Sequence, residues 1–140
     1  MESYRHLVQY YETDRMDCVH HSNYIRWFEE ARCFFLAELG FSYERMEENG
    51  VLSPVLKVQA DYLSMAKFAE TVEIETWVSE YTGTRISFSY KVRDAESGRM
   101  RCQGQTSHCF IAETGRPVSL KKALPALHEL VKSDTEKPDS

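Results

Sequence analysis

The sequence predicts an α+β domain in which a curved antiparallel sheet of about five strands wraps one long central helix. Three observations carry this prediction. Apolar residues recur at three- and four-residue steps in one early stretch, Tyr24, Phe28, Ala31, Phe35 and Leu39, which is the period of a helix face. From Val51 onward the period changes to two in successive segments. The joints between those segments are short and rich in turn residues, so neighbouring strands run antiparallel. The helix is then the only element with enough apolar surface to cover one face of the sheet.

The N-terminal "YRHLVQYY" has β-rich composition and reads as a first strand ending near Tyr11, followed by a loop from Glu12 to His21. The long helix follows, with Ser22 as its expected N-cap and Gly40 as its stop. Ile25, Arg32 and Leu36 flank its apolar stripe. "SYERMEENG" adds a short helical turn ended by Gly50. Leu56, Val58, Ala60 and Tyr62 then alternate with Lys57, Gln59 and Asp61. Val72, Ile74, Thr76 and Val78 do the same, as do Ile86, Phe88, Tyr90 and Val92. Each of these strands should present one buried and one wetter face. "TGT" at Thr82 to Thr84 and "ESG" at Glu96 to Gly98 supply the turns. A last strand from Met100 to Ala112 ends at "ETGRP", and "LKKALPALHELV" forms a closing helix broken by Pro125. Residues 1–132 form the single domain, and 133–140 form a polar tail expected to be flexible. One copy leaves a sheet edge and part of a face open, so at least a dimer is expected.

A length of 140 residues suits one domain with a real core, and 42% apolar with 28% charged residues is ordinary for a soluble protein. A net charge of −5 argues against nucleic acid as a partner. No apolar run is long enough to span a bilayer, and "MESYRHLVQYY" lacks the basic-then-apolar plan of a signal peptide, so the cytoplasm is the expected location. Cys18, Cys33, Cys102 and Cys109 show no metal-like or redox spacing and read as free thiols.

The stretch "YETDRMDCVHHSNYIRWFEEAR", Tyr11 to Arg32, holds more polar residues than helix capping needs. The first amides of a helix have no internal partners and carry the positive end of its dipole, so a carbonyl oxygen that becomes negative during reaction is stabilised there. An acid in the preceding loop, Asp14, is suited to attack such a carbonyl or to activate water beside it. Asp14 also fits an Asx-turn, and His20 and His21 also fit as helix caps or interface residues. Adjacent histidines seldom share one ion and no further ligands follow at zinc-like spacing, so no metal is expected.

The complete pattern resembles the signature of the 4-hydroxybenzoyl-CoA thioesterase-like hotdog family, particularly its YbgC-like acyl-CoA thioesterase branch. The matching residues are Thr13-Asp14, Val19-His20-His21, Asn23-Tyr24 and Phe28-Glu29-Glu30-Ala31-Arg32, with "TGRP" from Thr114 to Pro117. The resemblance implies a hotdog fold, hydrolysis of acyl-CoA to a free acid and coenzyme A, no cofactor, and a homo-oligomer, dimer or tetramer, with its site at a subunit interface. It implies Asp14 as the catalytic carboxylate and the His21 N–H as the donor that polarises the thioester carbonyl. Tyr10 matches a tyrosine of the branch's site and reads equally well as a core aromatic of a strand. Ser22, Asn23 and Tyr24 fall where substrate is bound. Lys57, Arg85, Lys91, Arg93 and Arg99 are candidates for the CoA phosphates. Glu29 is read as an i, i+3 partner of Arg32. One departure stands out: Asp17 occupies a position usually held by Gly, which Asp tolerates at modest cost if φ there is positive. A non-catalytic hotdog module that binds acyl-CoA or acyl-carrier-protein ligands is the alternative from another class.

Overall fold

A computed structural model describes residues 2–136 of the chain. Strand β1 (Tyr4–Leu7) is followed by one 3-10 turn over Tyr10–Glu12, and then by helix α1 (Ser22–Leu39) and the short helix α2 (Tyr43–Glu48). Strands β2 (Val51–Leu52), β3 (Val55–Tyr62), β4 (Thr71–Tyr81), β5 (Arg85–Asp94), β6 (Met100–Cys109) and β7 (Ile111–Ala112) come next, and helices α3 (Leu120–Ala123) and α4 (Pro125–Thr135) close the chain. The main sheet has the order β1-β4-β5-β6-β3 with every neighbouring pair antiparallel, while β2 and β7 pair separately. This is the hotdog architecture expected from the two periods in the sequence.

Helix α1 buries Tyr24, Trp27, Phe28, Ala31, Phe35 and Leu36 against the inner face of the sheet. Phe28 stacks on Tyr90 of β5, and Phe35 meets Phe88 edge to face. Gly40 ends the helix in the left-handed region (φ 104°), where its N–H and that of Phe41 both reach back to the Leu36 carbonyl. Glycine takes that conformation without the clash a Cβ would bring. Pro125 is the first residue of α4, so it divides the closing segment as expected. Helix α4 runs to Thr135, three residues into the stretch read as tail.

Three local expectations are corrected. Strand β1 ends at Leu7, because Val8 turns inward and Gln9 caps the 3-10 turn through a reciprocal bond with Glu12. Ser22 is the first residue of α1 and not its N-cap. His21 precedes it in helical conformation, and the Ser22 N–H donates to Nδ1 of His20 at 3.3 Å. Arg32 is 6% exposed and turns away from Glu29, donating to the hydroxyls of Tyr43 at 2.8 Å and Tyr90 at 3.1 Å.

Strand β3 does not bury a face as its alternation predicted. Val55, Leu56, Val58 and Tyr62 are 37–49% exposed, because β3 is the last strand of the sheet and, among the described residues, no strand pairs with its far edge. Among the described residues no helix is long and apolar enough to cross a membrane.

Candidate active site

The loop between the 3-10 turn and α1 is closed at its base by a single residue. The Glu12 carbonyl accepts the N–H of His20 at 2.8 Å and the side-chain amide of Asn23 at 2.9 Å. Thr13 and Val19 form an antiparallel bridge inside that base. At the tip, the Asp17 N–H donates to the Asp14 carbonyl, and Asp17 sits at φ 63°. The conformation that glycine would favour is therefore present, and Asp17 adopts it as one of the better-tolerated non-glycine residues. Asp14 makes the Asx-turn that its position allowed, its Oδ1 accepting the Met16 N–H at 2.8 Å. The loop is also tied to the segment after β3. Val19 donates to the Ala66 carbonyl, and Cys18 bridges Lys67.

Between the loop, the start of α1 and the segment Tyr62–Met65 lies a cleft of about 290 Å³. Asp14, His21 and Tyr24 line it together with Cys18, Tyr62 and Met65. Asp14 and His21 are thus brought to one space, and both are exposed there. The His21 N–H donates to no atom among the described residues, whereas its carbonyl accepts from the Tyr62 hydroxyl at 3.2 Å. An unpartnered amide at a helix start is a donor for an oxygen that gains negative charge. His20 stacks on His21 with ring centroids 4.2 Å apart. The Tyr24 hydroxyl accepts the Ala66 N–H at 3.1 Å, and burial raises its pKa, so it stays a neutral wall of the cleft. The Cys18 thiol donates to the Met16 carbonyl.

The remaining expected residues lie elsewhere. Tyr10 is 76% exposed on the 3-10 turn against Phe68, neither in the core nor in the cleft lining. Asn23 is buried and its side chain is committed to the Glu12 carbonyl, while the Ser22 hydroxyl lies 2.9 Å from Nδ1 of His20. Lys57, Arg85, Lys91, Arg93 and Arg99 do not line the cleft. Lys91 lies over the Trp77 ring and Arg93 pairs with Glu75, on another part of the sheet. Among the described residues no three His, Cys, Asp or Glu side chains gather as a metal site would require.

Sequence reasoning passed over Glu12. It is only 4% exposed, and its carboxylate accepts from the Gln9 N–H, from Nε2 of His6 and from the Trp27 indole at 2.7–2.8 Å. Burial alone would push its carboxyl up. The bonds from Gln9, His6 and Trp27 outweigh that and hold it below the ordinary carboxylate value.

Comparison with known proteins bears on the same region. The model of the thioesterase-like superfamily matches residues 8–130. YneP of Bacillus subtilis (strain 168) is 35% identical over 122 residues, covering 86% of this chain and 88% of that protein. The acyl-CoA thioesterase YbgC of Haemophilus influenzae is 36% identical over 86 residues, 61% of this chain and 63% of its own. The crystal structure of a DHNA-CoA thioesterase from Staphylococcus aureus superposes with a TM-score of 0.91 at 33% identity, covering 94% of this chain and 89% of that one.

Proposed function

The chain belongs to the thioesterase-like superfamily, and from that premise we propose that it hydrolyses acyl-CoA thioesters to a free carboxylic acid and coenzyme A. Asp14 is the catalytic carboxylate and the His21 N–H is the oxyanion donor. The observation that carries this reading is that Asp14 and His21 line one cleft at the start of α1, with the His21 amide free to donate. The relatives named as an acyl-CoA thioesterase and a DHNA-CoA thioesterase support the substrate class.

In this scheme the thioester carbonyl enters with its oxygen toward the His21 N–H. Charge develops on that oxygen as the carbonyl carbon becomes tetrahedral, so the bond strengthens most in the transition state and accelerates the reaction. Asp14 either attacks the carbon, giving a transient anhydride that water then opens, or takes the proton of an attacking water. In both routes the C–S bond breaks, coenzyme A leaves as the thiol with a proton that water supplies, and one water is consumed. The water oxygen enters the acid directly in the general-base route, and enters either the acid or Asp14 when water opens the anhydride. Met16, Cys18, Val19, Tyr24, Tyr62 and Leu63 give the cleft a mainly apolar wall suited to the acyl group.

The open edge of β3, with Val55, Leu56 and Val58 exposed, supports a homo-oligomer built by a second copy at that edge. Because Tyr62 ends β3 and lines the cleft, such a partner sits beside the site. Free-thiol release from a panel of aliphatic and aromatic acyl-CoAs tests the proposal. Turnover of at least one is expected, and binding without thiol release from any of them would contradict it.

A further inference from the structure

Glu12 does not line the cleft that holds Asp14 and His21, and it is 4% exposed. Its carbonyl, at the start of the candidate catalytic loop, accepts two donors from the loop's far end and the first turn of α1, the His20 N–H and the Asn23 side-chain amide. Its carboxylate reaches the opposite way, accepting from Nε2 of His6 on β1 at 2.8 Å and from the indole of Trp27 on α1 at 2.7 Å. The Gln9 N–H supplies a third donor at 2.8 Å. Behind it, the His6 ring lies 5.0 Å from that of Trp27, with Nδ1 3.6 Å from Glu30. Trp27 is fully buried, one helical turn beyond Asn23. Strand, helix and loop therefore meet at one residue, two positions before Asp14: strand and helix at its carboxylate, the loop's far end at its carbonyl.

We propose that Glu12 is a positioning residue for thioester hydrolysis: its buried carboxylate clamps the loop to α1 and β1, so that Asp14 and the His21 amide face the same cleft. The inference rests on the catalytic reading of Asp14 and His21 given above. A carboxylate is required because every atom that meets it is a donor. Replacing it with an amide turns one acceptor into an N–H group facing the Gln9 amide, His6 or the Trp27 indole, and one of those bonds is lost. A displacement of about 1 Å in a reacting group costs on the order of 100-fold in rate, so loosening this clamp acts on turnover more than on binding.

Glu12→Gln and, as a milder change, Trp27→Phe are to be measured as full-length protein. Trp27→Phe keeps most of the ring and removes only the indole donor. Thiol release on the best acyl-CoA of the panel gives kcat and KM, and amide hydrogen exchange follows residues 13–21. For Glu12→Gln the expected result is a fall in kcat of about 10- to 100-fold with KM changed less than about threefold. For Trp27→Phe a smaller fall in the same direction is expected. Exchange at His20 and Asp14 should rise by about tenfold or more while the amides of β5 stay protected. Wild-type kcat and unchanged loop exchange in both variants would overturn the proposal. So would a loss of protection spread equally over β5, which marks a general structural role. If wild type releases no thiol, or Asp14→Asn matches it, the catalytic reading fails instead, and the exchange measurement still decides whether Glu12 holds the loop.

Discussion

The ring of Phe28 lies flat on that of Tyr90, centroids 4.4 Å apart and planes 10° apart. This stack joins the middle of α1 to the middle of β5, and it leaves no room beside it. A Cβ placed on Gly104 of β6 would meet the Gln59 carbonyl oxygen at 2.5 Å and the Phe28 ring at 2.6 Å. The glycine is needed here for close approach and not for its backbone freedom. Gly104→Ala is expected to destabilise the protein by about 1–3 kcal/mol, the range typical of overpacked core substitutions. Denaturant unfolding of the two proteins measures it, and a change below about 0.5 kcal/mol would mean that the sheet yields at this point.

Tyr90 also belongs to a buried polar chain. Its hydroxyl accepts from Arg32 and lies 2.6 Å from the Thr106 hydroxyl, which in turn lies 2.8 Å from Nε2 of the fully buried His108. Burial, helped by the nearby Arg32 charge, lowers the His108 pKa from 6.5 to about 4. The folded state then refuses a proton that the unfolded state accepts. The stabilising effect of a neutral His108 is complete above pH 6.5 and is lost as pH falls from there toward 4, amounting to about 3 kcal/mol in all. Glu12, held below its ordinary value, loses its contribution only at lower pH, and Glu30, held above its ordinary value by burial, acts in the opposite sense, so the share of His108 between pH 6.5 and 5 is read as the difference between wild type and His108→Gln. Unfolding free energies measured across that window should fall more steeply in the wild type than in His108→Gln. Equal slopes would remove His108 as the cause.

Leu56 and Val58 lie on an edge strand with apolar side chains open to water, a surface that monomeric proteins normally protect. Light scattering should find the wild type as a dimer or tetramer, and Val58→Asp should shift it toward the monomer with loss of thiol release. A monomeric wild type at micromolar concentration, with full activity, would place the whole site within one chain.

How much of this was legible in the sequence follows from where each signal is written. The stripe from Tyr24 to Leu39 and the alternation in β4 and β5 record burial inside one chain, and the fold follows from them. The alternation in β3 misled, because β3 is an end strand of the sheet and the helix does not reach over Leu56 and Val58, which stay exposed. Asp14 and His21 were readable as a loop acid and a helix start, and Asp17 as a left-handed position. Arg32 and Glu12 were not readable. A charge three residues from an opposite charge on a helix looks like a surface pair, and an acid beside Thr13 and Asp14 looks like loop polarity. Each is buried because residues on other elements, Tyr90 of β5 for Arg32 and His6 of β1 with Trp27 of α1 for Glu12, supply its partners. Tyr10 illustrates the same limit: its spacing from Asp14 fits a site residue, yet the early end of β1 turns it outward.

The claim on which the account stands is that the Asp14 carboxylate performs the chemistry. It is tested most directly by thiol release from acyl-CoA with wild type and Asp14→Asn side by side, each with its fold and oligomeric state verified. A kcat reduced by at least about 1,000-fold is expected in the variant, as when a catalytic group is removed from a site whose binding contacts remain. Hydrolysis by folded Asp14→Asn at the wild-type rate would contradict it.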